Sequence, residues 1–390
     1  MDWHHRPLSR LLAPLDPAFF LDRVWGRQPW QIVAAEPGKF ASLFDWAALN
    51  RLLDSGERLQ LVSGPFNAAF APRPEQLTGV GRQLRKGATL VLEAVDRRDA
   101  RLAGFLDALS AELGIDSFLN LYLSAPDHPG FELHYDTHDF LILQIYGYKD
   151  WEIFAPTVRD PLPHQPSSGQ NPPAGECLQR LRLAPGDVLY LPKGYWHRAL
   201  AWQEHSLHLT LGFNAPTGID LLRWLLSACR EHPLFRQNLP LLTPGQTAPP
   251  WQERFEVLAA EVKSLLENPR LLPRLEQTHF TELTRRQHFA LPHQTIADIA
   301  GLEGVVRFRV LPVPHGLQLR EDGLLELSFP ASRLEFAAFT ADLLRDLLSR
   351  PSFTPADVQL AFPQFPWPAV LEVLLPLVQH GLIDPVKSEQ

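Results

Sequence analysis

The spacing of apolar residues changes along the chain and predicts regions of different secondary structure. Residues 7–60 carry apolar side chains at helical spacing, as in PLSRLLAPL and DPAFFLDRVW, and therefore predict short helices. From about residue 59 the spacing becomes that of strands, in RLQLVSG and ATLVLEAV. A helix rich in Leu and Ala is predicted at 97–113.

Residues 116–214 predict β-structure almost throughout. Alternating or apolar segments follow one another, separated by Gly, Pro or Asp: FLNLYLS, FELHYD, FLILQIYG, DWEIFAP, DVLYLP, HRALAW and HLTLGF. Seven or more short strands at this spacing are typical of a barrel or a sandwich. The polar segment 160–176 is rich in Pro and Gly, and we expect it to form a long surface loop near the barrel mouth.

After about residue 216 the pattern predicts helices again. IDLLRWLLSACREH and ERFEVLAAEVKSLLENP carry apolar stripes, and TPGQTAPP near 243–250 predicts a linker or turn. Three short strands, in VVRFRVLP, GLQLRED and LLELSFP, precede helices expected at about 333–350 and 366–381. The sequence therefore predicts an α+β protein with a barrel domain over 1–215, a helical region over 216–295 and a winged-helix-like domain over 296–390.

Composition and charge disfavour several classes of function for this chain. The chain has 390 residues, 45% of them apolar, and a formal net charge of −8, which disfavours direct binding to nucleic acid. It contains no apolar run of about 18 residues and no signal-peptide pattern, so we expect no membrane span. The two cysteines, Cys177 and Cys229, are too few for a disulfide framework or a cysteine-rich zinc site, and we expect a cytoplasmic protein.

A candidate metal site begins in FELHYDTHDF. On a strand, His134 and Asp136 would point to the same side, where an imidazole and a carboxylate could supply two ligands. A His-x-Asp triplet alone is weak evidence, because a chain with 15 histidines contains about one by chance.

The segment GDVLYLPKGYWH, residues 186–197, supplies the third ligand. Its glycine and aspartate turn the chain into a strand, its Pro and second Gly end that strand, and His197 starts the next one. This spacing resembles the second motif of the cupin barrels. Two histidines and one carboxylate form the facial triad of non-haem iron(II) oxygenases. His138 and His208 are competing histidines, which we expect in core packing or in hydrogen bonds to the ligands.

The chain resembles the JmjC hydroxylases of the ribosomal oxygenase group. The resemblance is carried by HYDTHDFLILQIYGYKDWEIFAP, LAPGDVLYLPKGYWH and SLHLTLGF, and by the N-terminal PLSRLLAPLDPAFFLDRVWGRQPW. It implies a double-stranded β-helix of the JmjC/cupin type, followed by a helical dimerisation region and a winged-helix-like C-terminal domain.

The resemblance also implies roles for individual residues. His134, Asp136 and His197 match the metal triad, and Lys149 matches the basic residue that binds the far carboxylate of 2-oxoglutarate. Asn120 and Tyr122 match positions that line the cosubstrate pocket, and Thr210 is a further candidate there. Tyr146, Asp127 and the acidic balance of the chain would suit a basic peptide substrate. Some family members have a serine in the last barrel strand where this chain has Gly212, so that contact is missing here or replaced by Thr210.

The function that the resemblance implies is hydroxylation of an arginine or histidine side chain of a ribosomal protein or another basic peptide. Iron(II) would be the metal and 2-oxoglutarate the cosubstrate, and no side chain beyond the metal centre would be catalytic. The same chemistry on another protein, a peptide or a small molecule is one alternative. The other is a non-catalytic cupin scaffold.

Regulation of DNA through the C-terminal domain is disfavoured. The last predicted helix, in PWPAVLEVLLPLVQHGL, contains no Lys or Arg that could contact phosphate. The amphipathic helices of 217–290 favour a homodimer, with a monomer that buries them against its own barrel as the alternative.

Overall fold

The computed structural model describes most of the chain. The described residues are 3, 5–55, 58–63, 66–70, 77–128, 130–241, 251–286, 291–320 and 322–387. They separate into two units. The first comprises the residues up to Ala215 together with residues 285 and 286, and the second comprises Pro216–Thr284 and the residues from 291 onward.

Helices and strands alternate irregularly along the chain. The helices are α1 Pro7–Leu12, α2 Pro17–Phe19, α3 Trp46–Asp54, α4 Leu77–Arg85, α5 Ala100–Leu113, α6 Gly218–Cys229, α7 Gln252–Glu267, α8 Leu271–Glu282, α9 Ala341–Ser349, α10 Pro355–Ala361 and α11 Trp367–Gln379. The strands are β1 Trp30–Ile32, β2 Leu59–Ser63, β3 Phe66–Phe70, β4 Thr89–Leu92, β5 Asp116–Ser124, β6 Asp139–Phe154, β7 Gln179–Leu183, β8 Val188–Leu191, β9 Trp196–Asn214, β10 Val305–Val310, β11 Gly316–Leu319, β12 Leu324–Phe329, β13 Ser332–Ala337, β14 Ser352–Phe353 and β15 Ile383–Lys387.

Two long strands build the first unit. β6 and β9 pair antiparallel along most of their length, with register shifts between Gln144 and Tyr148. The first half of β6 also pairs with β8, in a sheet of order β1-β8-β6-β9-β5-β4-β2-β3, and its second half pairs with β7. Both strands thus run through one nine-stranded antiparallel sheet, as in the jelly-roll arrangement of a cupin barrel.

Alternation along the strands separates two layers of apolar side chains. Leu141 and Leu143 of β6 face the large core that the N-terminal helices cover, whereas Phe140 and Ile142 belong to a smaller cluster on the opposite face. On β5, Leu119, Leu121 and Leu123 enter the large core. Their neighbours in sequence therefore face the barrel interior.

Helix α5, which packs against β5, has clear boundary signals in the sequence. The Asp99 side chain accepts hydrogen bonds from the backbone N–H groups of Arg101 and Leu102 and so caps the first turn. Gly114 ends the helix at φ +65°, a left-handed conformation that glycine adopts without steric cost.

Arg286 is distant in sequence from the rest of the first unit and is attached to it by buried contacts. Its guanidinium is buried and lies 2.7 Å from an Asp96 oxygen and 3.5 Å from an Asp107 oxygen, and it also donates to the Ser117 carbonyl. Both aspartates are buried. Buried charges of both signs and a backbone acceptor satisfy one another here, as removal from water requires.

The second unit combines helices with two small sheets. The sheets are three-stranded and antiparallel, in the orders β14-β10-β15 and β11-β12-β13. Helices α9 and α11 contribute Leu343, Leu347 and Leu374 to a core that also holds Phe308 of β10. The winged-helix-like assignment of residues 296–390 remains a prediction.

The jelly-roll and the α+β class are thus confirmed, with several local corrections. FELHYD is not a regular strand, because its one ladder contact is an isolated bridge between His134 and His197. The helix predicted from 333 begins only at Ala341, because residues 332–337 form β13. Strands β1 and β7 were not predicted.

Other predictions stay open. Most of the linker predicted at 243–250 lies outside the described residues. The domain boundary at 295/296 also remains a prediction. None of the helices in the described part of the chain has the length and hydropathy needed to cross a bilayer.

Candidate metal centre

Two ligand-bearing segments meet at the start of β9. His134 and His197 exchange two backbone hydrogen bonds, with N···O distances of 3.1 Å and 2.7 Å. The Asp136 carbonyl accepts from the Gly194 N–H at 2.9 Å. These three bonds take the place of a regular strand ladder. They hold residues 134–136, which we call the HYD segment, beside the turn that precedes His197.

Side-chain donors of His134, Asp136 and His197 converge at this point. One ligand atom from each residue lies within 4.8 Å of the other two, and His197 Nε2 is 3.8 Å from an Asp136 oxygen. The Nδ1 atoms of His134 and His197 donate to the carbonyls of Glu132 and Tyr195, at 2.7 Å and 3.0 Å. A carbonyl only accepts, so each Nδ1 carries the proton and each Nε2 keeps its lone pair.

Electrostatics favour the metal-binding form of His197. Burial, followed by the neighbouring His134 imidazole, lowers the pKa of His197 to about 4. This histidine is therefore neutral at pH 7, as a metal ligand must be. Two imidazoles and one carboxylate fit a divalent first-row metal, since they match the two-histidine, one-carboxylate facial triad.

A cavity of about 570 Å³, including its open mouth, extends from the triad into the barrel. Its size lies within the range usual for small-molecule sites. Besides the three ligands, the lining residues are Tyr122, Ser124, Gly130, Phe131, Phe140, Ile142, Lys149, Trp151, Ala199, His208 and Thr210.

Lys149 is the buried cation of this cavity. Its Nζ lies 3.0 Å from Ser124 Oγ and 3.5 Å from His208 Nδ1, and 5.9 Å from the centre of the Trp151 ring. Within the described part of the chain, no carboxylate pairs with it. Burial lowers the pKa of Lys149 to about 7, and burial together with this lysine lowers the pKa of His208. An ammonium kept here therefore favours an anionic ligand.

Tyr122 and Thr210 complete the polar wall. Tyr122 stacks on His208 with ring centres 5.0 Å apart, and burial, followed by the Asp136 charge, raises the pKa of its hydroxyl. The phenol therefore stays protonated and can donate. Asn120 does not line the cavity: its side-chain oxygen accepts from the Ala94 N–H, and its amide is also hydrogen-bonded to Tyr122.

Some predicted site residues lie elsewhere. Tyr146 is 41% exposed and packs edge-on against Trp46, and Asp127 is an exposed residue at φ +58°. Neither lines the cavity. His138 stays outside the ligand cluster and packs against Phe118.

Gly212 has a steric explanation. A Cβ at this position would lie 2.2 Å from Cζ of Phe118, so the Phe118 ring occupies the space that a serine would need. Thr210 lines the cavity one step along the same strand face.

Sequence reasoning missed Ser124 and Trp151. Ser124 shares the β5 face of Asn120 and Tyr122, so continuing the same alternation by two residues would have found it. Trp151 lies two residues beyond Lys149 on β6, and both face the cavity.

Comparison with known proteins places this site in a recognised domain. Residues 97–221 match the JmjC domain, so the chain contains a JmjC domain. Ribosomal oxygenase 1 of Gallus gallus is 30% identical over 253 residues, which cover 59% of this chain and 41% of that protein. The bifunctional lysine-specific demethylase and histidyl-hydroxylase NO66 of Drosophila pseudoobscura pseudoobscura is 28% identical over 224 residues, 53% of this chain and 23% of that protein.

The fold is also that of a solved structure. The Escherichia coli ribosomal oxygenase YcfD, in complex with cobalt and 2-oxoglutarate, superposes with a TM-score of 0.64 at 19% identity, over 95% of this chain and 98% of that one. The resemblance to the JmjC ribosomal oxygenases is thus confirmed. The chain spans about two fifths of the length of the chicken relative and less of the fly protein.

Proposed function

We propose that this JmjC-domain chain is an iron(II)- and 2-oxoglutarate-dependent dioxygenase that hydroxylates an amino-acid side chain of a protein. One observation carries the proposal. A two-histidine, one-carboxylate cluster and a buried lysine without a carboxylate partner among the described residues line the same cavity. The cluster can hold a divalent metal, and the lysine in the same cavity can hold an anionic chelator of that metal.

The metal would be held by His134 Nε2, His197 Nε2 and one oxygen of Asp136. When bound, iron(II) with 2-oxoglutarate supplies the oxidative chemistry, in which dioxygen hydroxylates a carbon–hydrogen bond while the cosubstrate becomes succinate and carbon dioxide. The chain contributes orientation and exclusion of water. Phe140 and Trp151 pack around His197 and shield it.

The far carboxylate of 2-oxoglutarate would bind Lys149. The lysine would then exchange two weak neutral partners for a charge-assisted hydrogen bond. Tyr122, whose hydroxyl stays protonated, and Thr210 would donate to the same ligand. Asn120 would act through Tyr122, to which it is hydrogen-bonded, and not by direct contact.

The substrate would be an arginine or histidine side chain of a ribosomal protein, as the names of the relatives suggest. The exposed carboxylate of Asp127 and the half-buried one of Glu204 suit a basic peptide, and Tyr146 is hydrogen-bonded to Glu204. Tyr146 and Asp127 would therefore contact the peptide outside the cavity, while the reacting side chain enters it.

A homodimer is the assembly that we propose for the second unit. Helix α6 leaves Ile219, Leu222 and Leu226 more than half exposed, and Phe255 of α7 is 71% exposed. The three α6 residues recur at helical spacing on one face of that helix, and an exposed apolar face of this kind is typical of an interface. Cytoplasmic localisation and the lack of direct nucleic-acid binding remain predictions.

Anaerobic titration with iron(II) and 2-oxoglutarate tests the metal site. Wild type should bind both, His134→Ala should lose iron binding, and His138→Ala should keep it, because His138 lies outside the cluster. Equal loss in both histidine variants would contradict the assigned triad. Failure of wild type to bind 2-oxoglutarate with iron would favour a non-catalytic scaffold.

The substrate class needs a separate experiment. Ribosomal proteins from cells with and without the enzyme would be compared by mass spectrometry for an added oxygen atom on arginine or histidine. Addition to a small molecule or an unrelated protein would keep the chemistry and replace the substrate.

A further inference from the structure

The longest loop of the JmjC domain, residues 155–178 between β6 and β7, has no part in the function proposed above. It contains no helix or strand. Two of its contacts nevertheless reach residues adjacent in the chain to metal ligands, and a third reaches Gly194, which is hydrogen-bonded to the Asp136 carbonyl. We call this loop, residues 155–178, the β6–β7 strap.

Tyr135 makes the first contact. It stands between His134 and Asp136, so an extended backbone points its side chain away from theirs. Its ring is buried, and its hydroxyl donates to the Gln165 carbonyl of the strap at 2.8 Å. One partly buried hydrogen bond thus links the strap to the residue that separates two ligands.

Trp196 makes the second contact. It directly precedes His197, and its buried indole Nε1 donates to Thr157 Oγ1 of the strap at 2.9 Å. The Tyr135 and Trp196 rings pack edge to face with centres 5.0 Å apart. The two anchoring side chains therefore support one another as well as the strap.

Gly194 makes the third contact. Its N–H donates to the Asp136 carbonyl, and its φ of +84° lets the strap approach. A Cβ there would lie 2.6 Å from the Val158 carbonyl oxygen. The strap therefore packs directly on the turn that holds Asp136.

The HYD segment needs such support, because it lacks a strand ladder. Its one bridge joins His134 to His197, and Asp136 lies beyond that bridge. A metal site requires its donors to be fixed to within a few tenths of an ångström. Partners outside the ligand shell that orient ligands are commonly worth about 10- to 100-fold in metal affinity.

We infer that Tyr135 and Trp196 are positioning residues for the metal centre, and that the β6–β7 strap sets the placement of the three ligands through them. The inference rests on the proposed function only in taking the triad as a metal site. It assigns the strap a role in metal affinity, in addition to any role at the substrate entrance.

The test compares cobalt(II) binding by variants that remove single hydrogen bonds. Tyr135→Phe removes the hydroxyl that donates to the Gln165 carbonyl. Thr157→Val removes the hydroxyl that accepts from the Trp196 indole, and this change lies in the strap and does not alter the barrel. Tyr148→Phe is the matched control, because its ring packs on Trp202 on the outer face. Cobalt(II) affinity and the visible absorption spectrum of the bound cobalt are measured, together with the thermal unfolding midpoint.

Both strap variants should bind cobalt(II) about 10-fold more weakly and alter its spectrum. The control should match wild type. Unchanged affinity and spectrum in both variants would overturn the inference, and so would a lower unfolding midpoint with normal cobalt binding, since that indicates a merely structural role. If wild type itself binds no cobalt(II), the proposed function fails first, so the two failures are distinguishable.

Discussion

Lys149→Met should stabilise the metal-free protein while it weakens 2-oxoglutarate binding. Methionine replaces the buried ammonium with an apolar side chain of similar length. In the metal-free protein Lys149 has a hydroxyl and an imidazole as hydrogen-bonding partners, and neither compensates for a charge removed from water. The lysine therefore lowers stability until an anion binds.

The magnitude follows from the pKa. The unfolded chain binds this proton below pH 10.5, whereas burial lowers the pKa of Lys149 in the folded chain to about 7. Between these values the unfolded state binds more protons, so stability rises with pH. The penalty is fully present below pH 7 and disappears above 10.5. At 1.36 kcal/mol per pKa unit it is about 4 kcal/mol near pH 7.5 and about 1 kcal/mol near pH 9.5.

Urea unfolding of metal-free wild type and variant at the two pH values measures this difference. The variant should be more stable at pH 7.5, and its advantage should shrink at pH 9.5. Lys263→Met, at an exposed lysine of α7, is the control and should change little. A variant that is less stable than wild type, by an amount independent of pH, would refute the reasoning, because it would mean that the ammonium is already compensated.

The same substitution should weaken 2-oxoglutarate binding in the presence of metal. Loss of one partner of a buried, hydrogen-bonded charge pair costs about 2–5 kcal/mol, or roughly 30-fold or more in Kd. Calorimetric titration measures it. Affinity equal to that of wild type would show that the far carboxylate binds elsewhere.

Three further predictions concern the scaffold. Arg286→Met should destabilise the protein by about 3–5 kcal/mol in thermal unfolding, because it removes the buried cation that lies beside the carboxylates of Asp96 and Asp107; a loss below 1 kcal/mol would contradict this. Gly212→Ala should cost about 1–3 kcal/mol through its clash with the Phe118 ring, and adding Phe118→Leu should restore part of that loss; no recovery in the double variant would contradict the steric account. Leu222→Glu should shift the protein to monomers in sedimentation analysis, because this side chain is 63% exposed on α6; an unchanged dimer would exclude this helix from the interface.

Local signals explain how far the sequence could predict the fold. The turn, strand and bend of GDVLYLPKGYWH depend on Gly and Pro conformations and on residues close in sequence, and β8 with the start of β9 follows them. The alternation of β5 likewise placed Tyr122 on the cavity side and the leucines in the core.

Other features depend on contacts that local patterns do not encode. The glycine in FLILQIYGYKDW predicted a break between two strands, but Gly147 lies inside β6 at φ +67°, where a Cβ would be 2.2 Å from the His205 carbonyl oxygen. It permits an irregularity in the pairing with β9 that keeps β6 one continuous strand.

The candidate site shows the same limit. The spacing of the metal triad could be recognised in the sequence. The surroundings of Lys149 could not, because its partners Ser124 and His208 lie 25 and 59 residues from it. Arg286 pairs with Asp96, which lies 190 residues away in the sequence, and no local pattern predicts that ion pair.

The most direct test of the central claim is succinate formation from 2-oxoglutarate when air is admitted to the iron-loaded protein. Wild type and His138→Ala should form succinate in an iron-dependent reaction, and His134→Ala should form none. Lys149→Met should form it only at much higher 2-oxoglutarate concentrations. No iron-dependent succinate from wild type, or equal amounts from wild type and His134→Ala, would contradict the assignment of this JmjC domain as a 2-oxoglutarate-dependent dioxygenase.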